Sequence, residues 1–470
     1  MLSHSSSNAS VSTFGVQAPI FVAATKQHTG KTTVSLALMS GLRKRFREQG
    51  VGFIKPVGQQ SITVANADTE AAIEVDKDVV VMKEHFRLDH LNYRDMSPVM
   101  IPRGYTRDYI KGKIKHADQV DKITSSFNRI ACKSELVLCE GTGHCAVGSI
   151  VDLNNAQVAR HLGAHVVLVA NGGLGSTFDD LELNRILCLY HQVPIAGVIL
   201  NKVKRDKYDQ TREYISLALS QSWGNVPLLG CIPDRPFLGC AALADLETLF
   251  TSKLLCGQIY RMKHYSMDGK FQATILYLRF LAPLDYPNEL PSLFPFALDI
   301  KIVQPINIHR FREELKSNAR RTMYICHSTS SEIIMAFIEG FEHHVSTEDE
   351  PSRPFESALI ICGKTPISTQ VNERLQSTVK KCDSHKTPAI LKVSNYSTVD
   401  TLGMIQELTP KLNADDCNRV TKAIEHYEPF INFDLLLSRT RRDTSLDFYS
   451  CASGIDAQIN ATMKSVKEQF

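Results

Sequence analysis

The sequence predicts an α/β fold: a doubly wound, mostly parallel sheet, with a second, smaller α/β domain. Two patterns carry that expectation. Short continuous apolar runs, as in strands buried on both faces, alternate with stretches whose apolar residues recur at helical spacing. The alternation fades near Phe237 and resumes further on, which separates two series. Strand–helix–strand repeats imply right-handed crossovers and therefore parallel strands. A chain of 470 residues accommodates two or three domains, and 43% hydrophobic residues suffice for their cores.

The first strand is Ile20-Phe-Val-Ala-Ala24. After a glycine turn, residues 33–47 place Val34, Leu36, Ala37, Leu38, Leu42 and Phe46 where a helix packed on a sheet needs them. Val51-Gly-Phe-Ile54 is a second strand. Further strands are expected at 136–139, 165–170, 195–200 and 226–232, with helices at 154–162 and 179–190. Residues 57–133 are less regular and read as an insertion over the edge where ligands meet open α/β sheets. In the second series, a helix at 243–255 and a proline-rich loop at 286–295 precede strands at 321–326, 357–362 and 388–393 and helices at 331–341 and 371–381. Residues 344–354 read as a surface loop. The expected domains are a disordered, serine-rich cap (1–17), a first domain (18–236), a helical linker (237–300), a second α/β domain (301–436) and a weakly ordered tail (437–470).

Composition narrows the function. Lys plus Arg number 53 against 50 Asp plus Glu, a net charge of +3, which predicts no general affinity for nucleic acid. The cluster Arg43-Lys-Arg-Phe-Arg47 reads as the solvated face of a helix. The 12 Cys form no CxxC pair and the 16 His lie at no zinc spacing, so reduced thiols of an intracellular protein are expected. No apolar stretch approaches the ~20 residues that span a bilayer, so no membrane partner is expected. The first 17 residues contain no Arg, which argues against a strong transit peptide. A cytoplasmic location is the expectation, with organellar targeting left open.

The chemistry starts at Ala24-Thr-Lys-Gln-His-Thr-Gly-Lys-Thr-Thr33. Gly30-Lys31-Thr32 follows a strand and opens a helix, the context that defines a P-loop. Successive backbone N–H groups from Lys26 through Gln27, His28, Thr29 and Gly30 to Thr33 are expected to cradle the phosphates of ATP at a helix N-terminus. Lys31 reaches the β- and γ-phosphates and the Thr32 hydroxyl ligates Mg²⁺. Thr25 stands where the usual motif has its first glycine.

This run resembles the long P-loop of dethiobiotin synthetase, a class that includes the synthetase domains of cobyrinic acid diamide synthases and the deviant-Walker ATPases. Lys26 falls four residues before Gly30, where the deviant-Walker group has a lysine that reaches across a dimer interface. A homodimer is what that likeness implies, and a solvated loop lysine is the alternative. Phe53-Ile-Lys55-Pro56-Val57 resembles the Lys-Pro-Val element, which implies that Lys55 points at the γ-phosphate or the acceptor. Cys139-Glu140-Gly141-Thr142-Gly143-His144 resembles the Glu-Gly-Ala-Gly-Gly element, with Glu140 facing magnesium. Asp78 matches the other acidic magnesium position. Asp76 is its rival there, and helix N-capping is the alternative role for either. Asn201, in Ile199-Leu-Asn-Lys-Val203, can pair with adenine through its amide donor and acceptor, as the relatives' Asn does; a turn Asn is the plainer reading.

The acceptor side departs from dethiobiotin synthetase: Gly58-Gln59-Gln60 follows Lys-Pro-Val, and His144-Cys145 replaces a glycine and an aromatic. Cys139, Cys145 and His144 read as buried strand thiols and a turn histidine. Gly172-Gly-Leu-Gly175 reads as a strand-to-helix turn. In the second region, His327-Ser-Thr-Ser-Ser-Glu-Ile-Ile334, Ala358-Leu-Ile-Ile-Cys-Gly363 and Thr387-Pro-Ala-Ile-Leu391 resemble a DRTGG-type domain, as in long phosphotransacetylases, with the namesake glycine pair reduced to Gly363-Lys364. The combined resemblance covers residues 19–435 and implies an ATP-dependent synthetase or ligase-like enzyme. Its acceptor would be a small carboxylate or carbamate, with Lys31 and Lys55 catalytic and Thr32, Asp78 and Glu140 around the metal. The alternative is a regulatory ATPase that dimerises through Lys26 and signals through the DRTGG-like domain.

Overall fold

The computed structural model describes residues 16–47, 50–65, 72–265, 300–302, 308–317, 322–346, 355–381 and 387–442. Residues 1–15 of the expected cap, the loop at 286–295, residues 347–354 of the expected surface loop and the tail beyond 442 lie outside them. The chain divides into two compact units, Met1–Asp234 with Leu412–Phe470, and Arg235–Lys411.

In the first unit, β1 (Ile20–Ala24) leads to α1 (Lys31–Arg43) and β2 (Val51–Ile54). An antiparallel hairpin of β3 (Ser61–Ala65) and β4 (Ala72–Asp76), then α2 (Lys77–Phe86) and α3 (His116–Ala131), make up most of the insertion. There follow β5 (Leu136–His144), α4 (Asn155–His161), β6 (His165–Asn171), α5 (Gly175–Tyr190), β7 (Ile195–Val203), α6 (Tyr208–Trp223) and β8 (Leu228–Pro233). The six-stranded sheet runs β8-β7-β6-β1-β5-β2, parallel throughout. Every residue of β1 and β2 is buried, as strands covered on both faces require. The connection after β1 runs toward β2, whereas those after β5, β6 and β7 run the other way. Chain direction therefore reverses at β1, and the carboxyl end of β1 opens into the crevice where such sheets bind ligands.

The second unit contains α7 (Leu243–Phe250), β9 (Leu254–Cys256), β10 (Ile300–Ile302), α8 (Ile308–Ser317), β11 (Met323–His327), α9 (Ser331–Ser346), β12 (Ala358–Cys362), α10 (Thr369–Lys381), β13 (Ala389–Val393) and α11 (Thr398–Glu407). Its five-stranded sheet runs β9-β13-β12-β11-β10, parallel except for β9. Alternate residues of β11 enter opposite cores: Tyr324 and Cys326 join one, Met323 and Ile325 the other. The helix expected at 243–255 stops at Phe250, because Thr251 turns left-handed (φ 49°) and Leu254–Cys256 pairs with β13. The region expected as a helical linker thus supplies a strand of the second sheet.

The chain then returns to the first unit as α12 (Cys417–Tyr427) and α13 (Phe433–Thr440). The domain boundary expected at 436 is therefore displaced, and the start of the expected tail is structured. Asp416 and Asn432 cap the two helices. Ile431 bridges Gly230 on the outer strand β8, and Asn432 N–H donates to Leu229 O at 2.8 Å, so the sheet edge is covered. Gln17 accepts a 2.8 Å hydrogen bond from Thr440 Oγ1. The basic cluster after α1 is solvated at Lys44 and Arg47, as expected, and it also meets this segment: Lys44 pairs with Glu428 and Arg45 with Asp434 at 3.3 Å. Among the described residues no helix is long and apolar enough to cross a membrane.

Candidate functional site

The loop between β1 and α1 is pinned at both ends. Thr25 N–H donates to Val169 O on β6 at 2.9 Å, and buried Thr29 donates from Oγ1 to Lys26 O at 3.3 Å. His28 (φ 61°) and Gly30 (φ 85°) both adopt left-handed backbone, which turns the chain sharply into α1. No side chain caps α1 and its first turn carries no acid, so its amide dipoles meet no competing carboxylate of that turn. Gln27 and His28 are exposed, while Lys31, Thr32 and Thr33 are half-buried. These features fit a polyphosphate.

Behind the loop lies a buried charged cluster. Glu140, on β5, is wholly buried, and its Oε1 lies 3.0 Å from Lys31 Nζ, 2.9 Å from Thr32 Oγ1 and 3.5 Å from Lys55 Nζ. Its other oxygen, Oε2, has no partner among the described residues. Lys55, just past β2, also pairs with Asp78 and lies 3.1 Å from Asp76 Oδ1. Burial alone would lower the Lys55 pKa. The carboxylates of Asp78, Glu140 and Asp76 outweigh it and hold the ammonium firmly protonated. Burial likewise opposes the charge on Asp78, but Lys55 and then Lys31 keep its carboxyl well below the usual range.

The geometry separates the two aspartates. Asp76 caps α2: its Oδ1 accepts from Asp78 N–H at 3.0 Å and its Oδ2 from Gln59 and Gln60 N–H at 3.0 and 3.2 Å. Asp76 thus divides its oxygens between three backbone N–H groups and Lys55, whereas Asp78 is directed at Lys55. Thr32 and Glu140 fit a divalent cation best, since Thr32 Oγ1 and the unpartnered Glu140 Oε2 belong to side chains already in contact. No group of three or more His, Cys, Asp or Glu among the described residues is placed to hold a metal unaided. A cation here would take its remaining ligands from phosphate and water, as Mg²⁺ commonly does.

Two other expectations meet a different geometry. Lys26, 58% exposed, is paired with Asp180 of α5 at 2.7 Å, within its own chain. Asn201 is wholly buried, and its amide is engaged by the protein itself: Nδ2 donates to Thr29 O at 2.7 Å and Oδ1 accepts from Lys202 N–H at 2.8 Å. That arrangement departs from an amide presented to adenine.

Two shaping residues escaped the sequence reading. Asn155 holds the turn after Glu140, accepting from Thr142 N–H at 2.9 Å and donating to Thr142 O and His144 O at 2.9 and 2.8 Å. Asn184 of α5 accepts from Cys145 N–H at 2.9 Å and donates to Thr25 O at 3.4 Å, so it ties that turn to the start of the loop. The only sequence signal for Asn184 is an amide among apolar residues of a helix. Cys139 and Cys145 are buried, and burial pushes the Cys139 thiol up, so neither is poised as a nucleophile. The glycines 172–175 form the turn between β6 and α5.

Comparison with known proteins agrees with this geometry. Residues 18–241 match the family model AAA_26, described as an AAA domain. The chain is 24% identical over 242 residues to a phosphate acetyltransferase of Nitratidesulfovibrio vulgaris, covering 51% of this chain and 32% of that protein. It is 28% identical over 184 residues to a cobyric acid synthase of Rippkaea orientalis, covering 36% of each. It thus spans about a third of the length of these two relatives. An ATP-dependent dethiobiotin synthetase of Nitrosopumilus maritimus matches at 25% identity over 236 residues, 50% of this chain and 96% of that protein. Among solved structures, the MinC:MinD cell division protein complex of Aquifex aeolicus aligns with 47% of this chain and 83% of its own at 16% identity, with a TM-score of 0.29. Residues 18–241 are thus a P-loop domain with homologues among dethiobiotin synthetases, cobyric acid synthases and phosphate acetyltransferases.

Proposed function

We propose that the first unit binds ATP with Mg²⁺ and acts as a synthetase-type enzyme that phosphorylates a small carboxylate or carbamate. The observation that supports this most is the meeting of Lys31, Thr32 and Lys55 on one buried oxygen of Glu140, directly behind the loop. In this reading Lys31 exchanges Glu140 for phosphate oxygens, and Glu140 and Thr32 are left to hold the cation. A bound Mg²⁺ supplies charge neutralisation on the phosphates. Lys55, kept protonated by its three carboxylates, adds a fixed positive charge where negative charge builds up. Asp78 holds that ammonium in place and completes the acidic wall. The likeness to a relative named ATP-dependent dethiobiotin synthetase supports ATP-dependent synthetase chemistry.

Calorimetry with ATP and Mg²⁺, followed by phosphate-release assays with a panel of carboxylates and diamines, tests the proposal. The wild type is expected to bind, Lys31→Ala to bind at least about tenfold more weakly (~1.4 kcal/mol), and one acceptor class to accelerate phosphate release. Absence of binding in the wild type would refute it. Binding without any stimulated release favours a regulatory ATPase that dimerises through Lys26 and signals through the second unit as a DRTGG-type module. One feature favours that second reading: Leu183, Ile186 and Tyr190 stand exposed on α5, the helix that carries the Lys26 partner Asp180.

A further inference from the structure

The carboxyl edge of the second unit's sheet carries polar groups that the chemistry of the first unit does not use. Side chains along a strand alternate between the two faces. Tyr324 and Cys326 of β11, Ile361 of β12 and Ile390 of β13 enter the core that α9 and α10 complete. Ser328, two residues beyond Cys326, and Lys392, two beyond Ile390, therefore lie on that same face, at the edge where α9 and α10 begin. Ser328 N–H donates to Cys362 O at 2.8 Å, which continues the pairing of β11. The residue is 1% exposed, and its hydroxyl has no partner among the described residues. A buried hydroxyl left so is uncommon and costly. The half-buried Lys392 ammonium donates to Gly363 O at 2.7 Å and Thr365 O at 3.3 Å, and it meets no carboxylate among the described residues. Burial pulls its pKa down, as it does for an ammonium with no counter-ion. The starts of the two helices adjoin. Ser331 Oγ of α9 donates to Ser368 Oγ at 3.1 Å, and Ser368, just before α10, also accepts from Val371 N–H at 3.4 Å, so its own proton is left to donate.

We infer that this edge of the second unit binds a phosphate dianion, free or as the end of a phosphomonoester, between the N-termini of α9 and α10 with Ser328 and Lys392 as its floor. The charge count selects the ligand. Each helix N-terminus carries about half a positive charge and Lys392 a full one, so roughly two positive charges converge there. A phosphate dianion balances them, whereas a carboxylate leaves about half uncompensated. Helices of 16 and 13 residues are long enough to present such ends. The first turn of α10 holds no acid, and Glu332 in that of α9 is exposed, where solvent and salt screen it. Donors match as well as charge. The orphaned Ser328 hydroxyl, the free proton of Ser368 and the unpaired N–H groups of the first turns all suit phosphate oxygens.

The test uses the full-length chain as Lys31→Ala, which weakens the phosphate-binding loop of the first unit and so separates the two sites. That parent is titrated calorimetrically with inorganic phosphate, glycerol 3-phosphate and acetate, alone and with Ser328→Ala or Lys392→Met added. At least one of the two phosphates is expected to bind, and acetate to bind at least about tenfold more weakly. Each added substitution is expected to weaken the phosphates about tenfold, the scale of one hydrogen bond to a charged group. Ser328→Ala carries a second readout that a merely structural serine would not give. Without phosphate the variant is expected to unfold no lower than its parent, because it loses an unsatisfied hydroxyl, yet phosphate is expected to raise its unfolding temperature less. Tighter binding of glycerol 3-phosphate supports the site and identifies an ester as its ligand; tighter binding of inorganic phosphate supports it and identifies the free ion. A parent that binds neither overturns the inference. So does phosphate binding that Ser328→Ala leaves unchanged, or acetate binding as tight as phosphate. Should Lys392→Met fail to fold, Ser328→Ala alone decides. Failure of the wild type to bind ATP would refute the proposed function of the first unit and leave this inference standing.

Discussion

Lys55 is the residue on which the site's charge balance turns. It lies 3.1 Å from Asp76 Oδ1 and 3.5 Å from Glu140 Oε1, and it pairs directly with Asp78. All four groups are buried. Removing Lys55 leaves Asp78 and Asp76 desolvated without their direct cation, while Glu140 keeps Lys31 at 3.0 Å; breaking a buried pair in this way typically costs about 3–5 kcal/mol. Lys55→Met is therefore expected to lower the unfolding temperature sharply at neutral pH, and added Mg²⁺ to restore part of the loss by standing in for the ammonium. Thermal denaturation with and without the cation checks both; a variant as stable as wild type would show that the cluster is hydrated. The residue types of this cluster were legible in the sequence, because Gly30-Lys31-Thr32 after a strand and Glu140 at a strand end have few other uses. The division of labour between Asp76 and Asp78 was not, since capping depends on where Gln59 and Gln60 point their N–H groups. The protein's own contacts to Asn201 were illegible for a related reason. A sequence shows what an amide can bond, not that Thr29 O, Lys202 N–H and Tyr427 reach it first.

Elements were legible where burial is simple. The strands covered on both faces are unbroken apolar runs and were placed within a few residues. Helix α3 was missed because it buries Gln119, Ile123, Ser126 and Ile130, a helical stripe in which only two of four residues are apolar. The hairpin β3–β4 was missed because β3 is mostly exposed and has no core pattern to display. Helix α1 shows how an element's sequence answers to a distant one. Gly41, in its last turns, faces Phe433 of α13, and a Cβ at Gly41 would lie 2.0 Å from the ring. Gly to Ala in a helix normally gains about 1 kcal/mol, but overpacking costs about 1–3 kcal/mol. Gly41→Ala is therefore expected to destabilise the protein by on the order of 1 kcal/mol. In a Phe433→Ala background the same change is expected to stabilise. A denaturant double-mutant cycle measures the coupling, and additive effects would mean that the two helices do not pack as described.

At the scale of the molecule, the first boundary was legible and the last was not. Asp234 ends the first unit close to the expected 236, where a strand gives way to a turn. The return at Leu412 carries no local mark, because an amphipathic pattern tells where a helix forms and not which unit it packs on. That return is structural. Val420, Ala423, Ile431, Phe433, Leu436 and Leu437 are buried in it, and Ile431 and Asn432 cover the edge of β8. Full burial of a large apolar side chain contributes about 1.5–3 kcal/mol. Four such side chains and two smaller contributions therefore rival the entire stability of a typical domain, about 5–15 kcal/mol. A chain ending at residue 411 is thus expected to lose the cooperative unfolding transition of the first unit while retaining that of the second, and to aggregate through the bared strand edge. Differential scanning calorimetry resolves the two transitions, the first being the one that ATP is expected to shift in the full-length chain under the proposed function. A truncated chain that keeps an ATP-sensitive transition at the full-length temperature would show that residues 412–442 merely decorate a sheet able to stand without them.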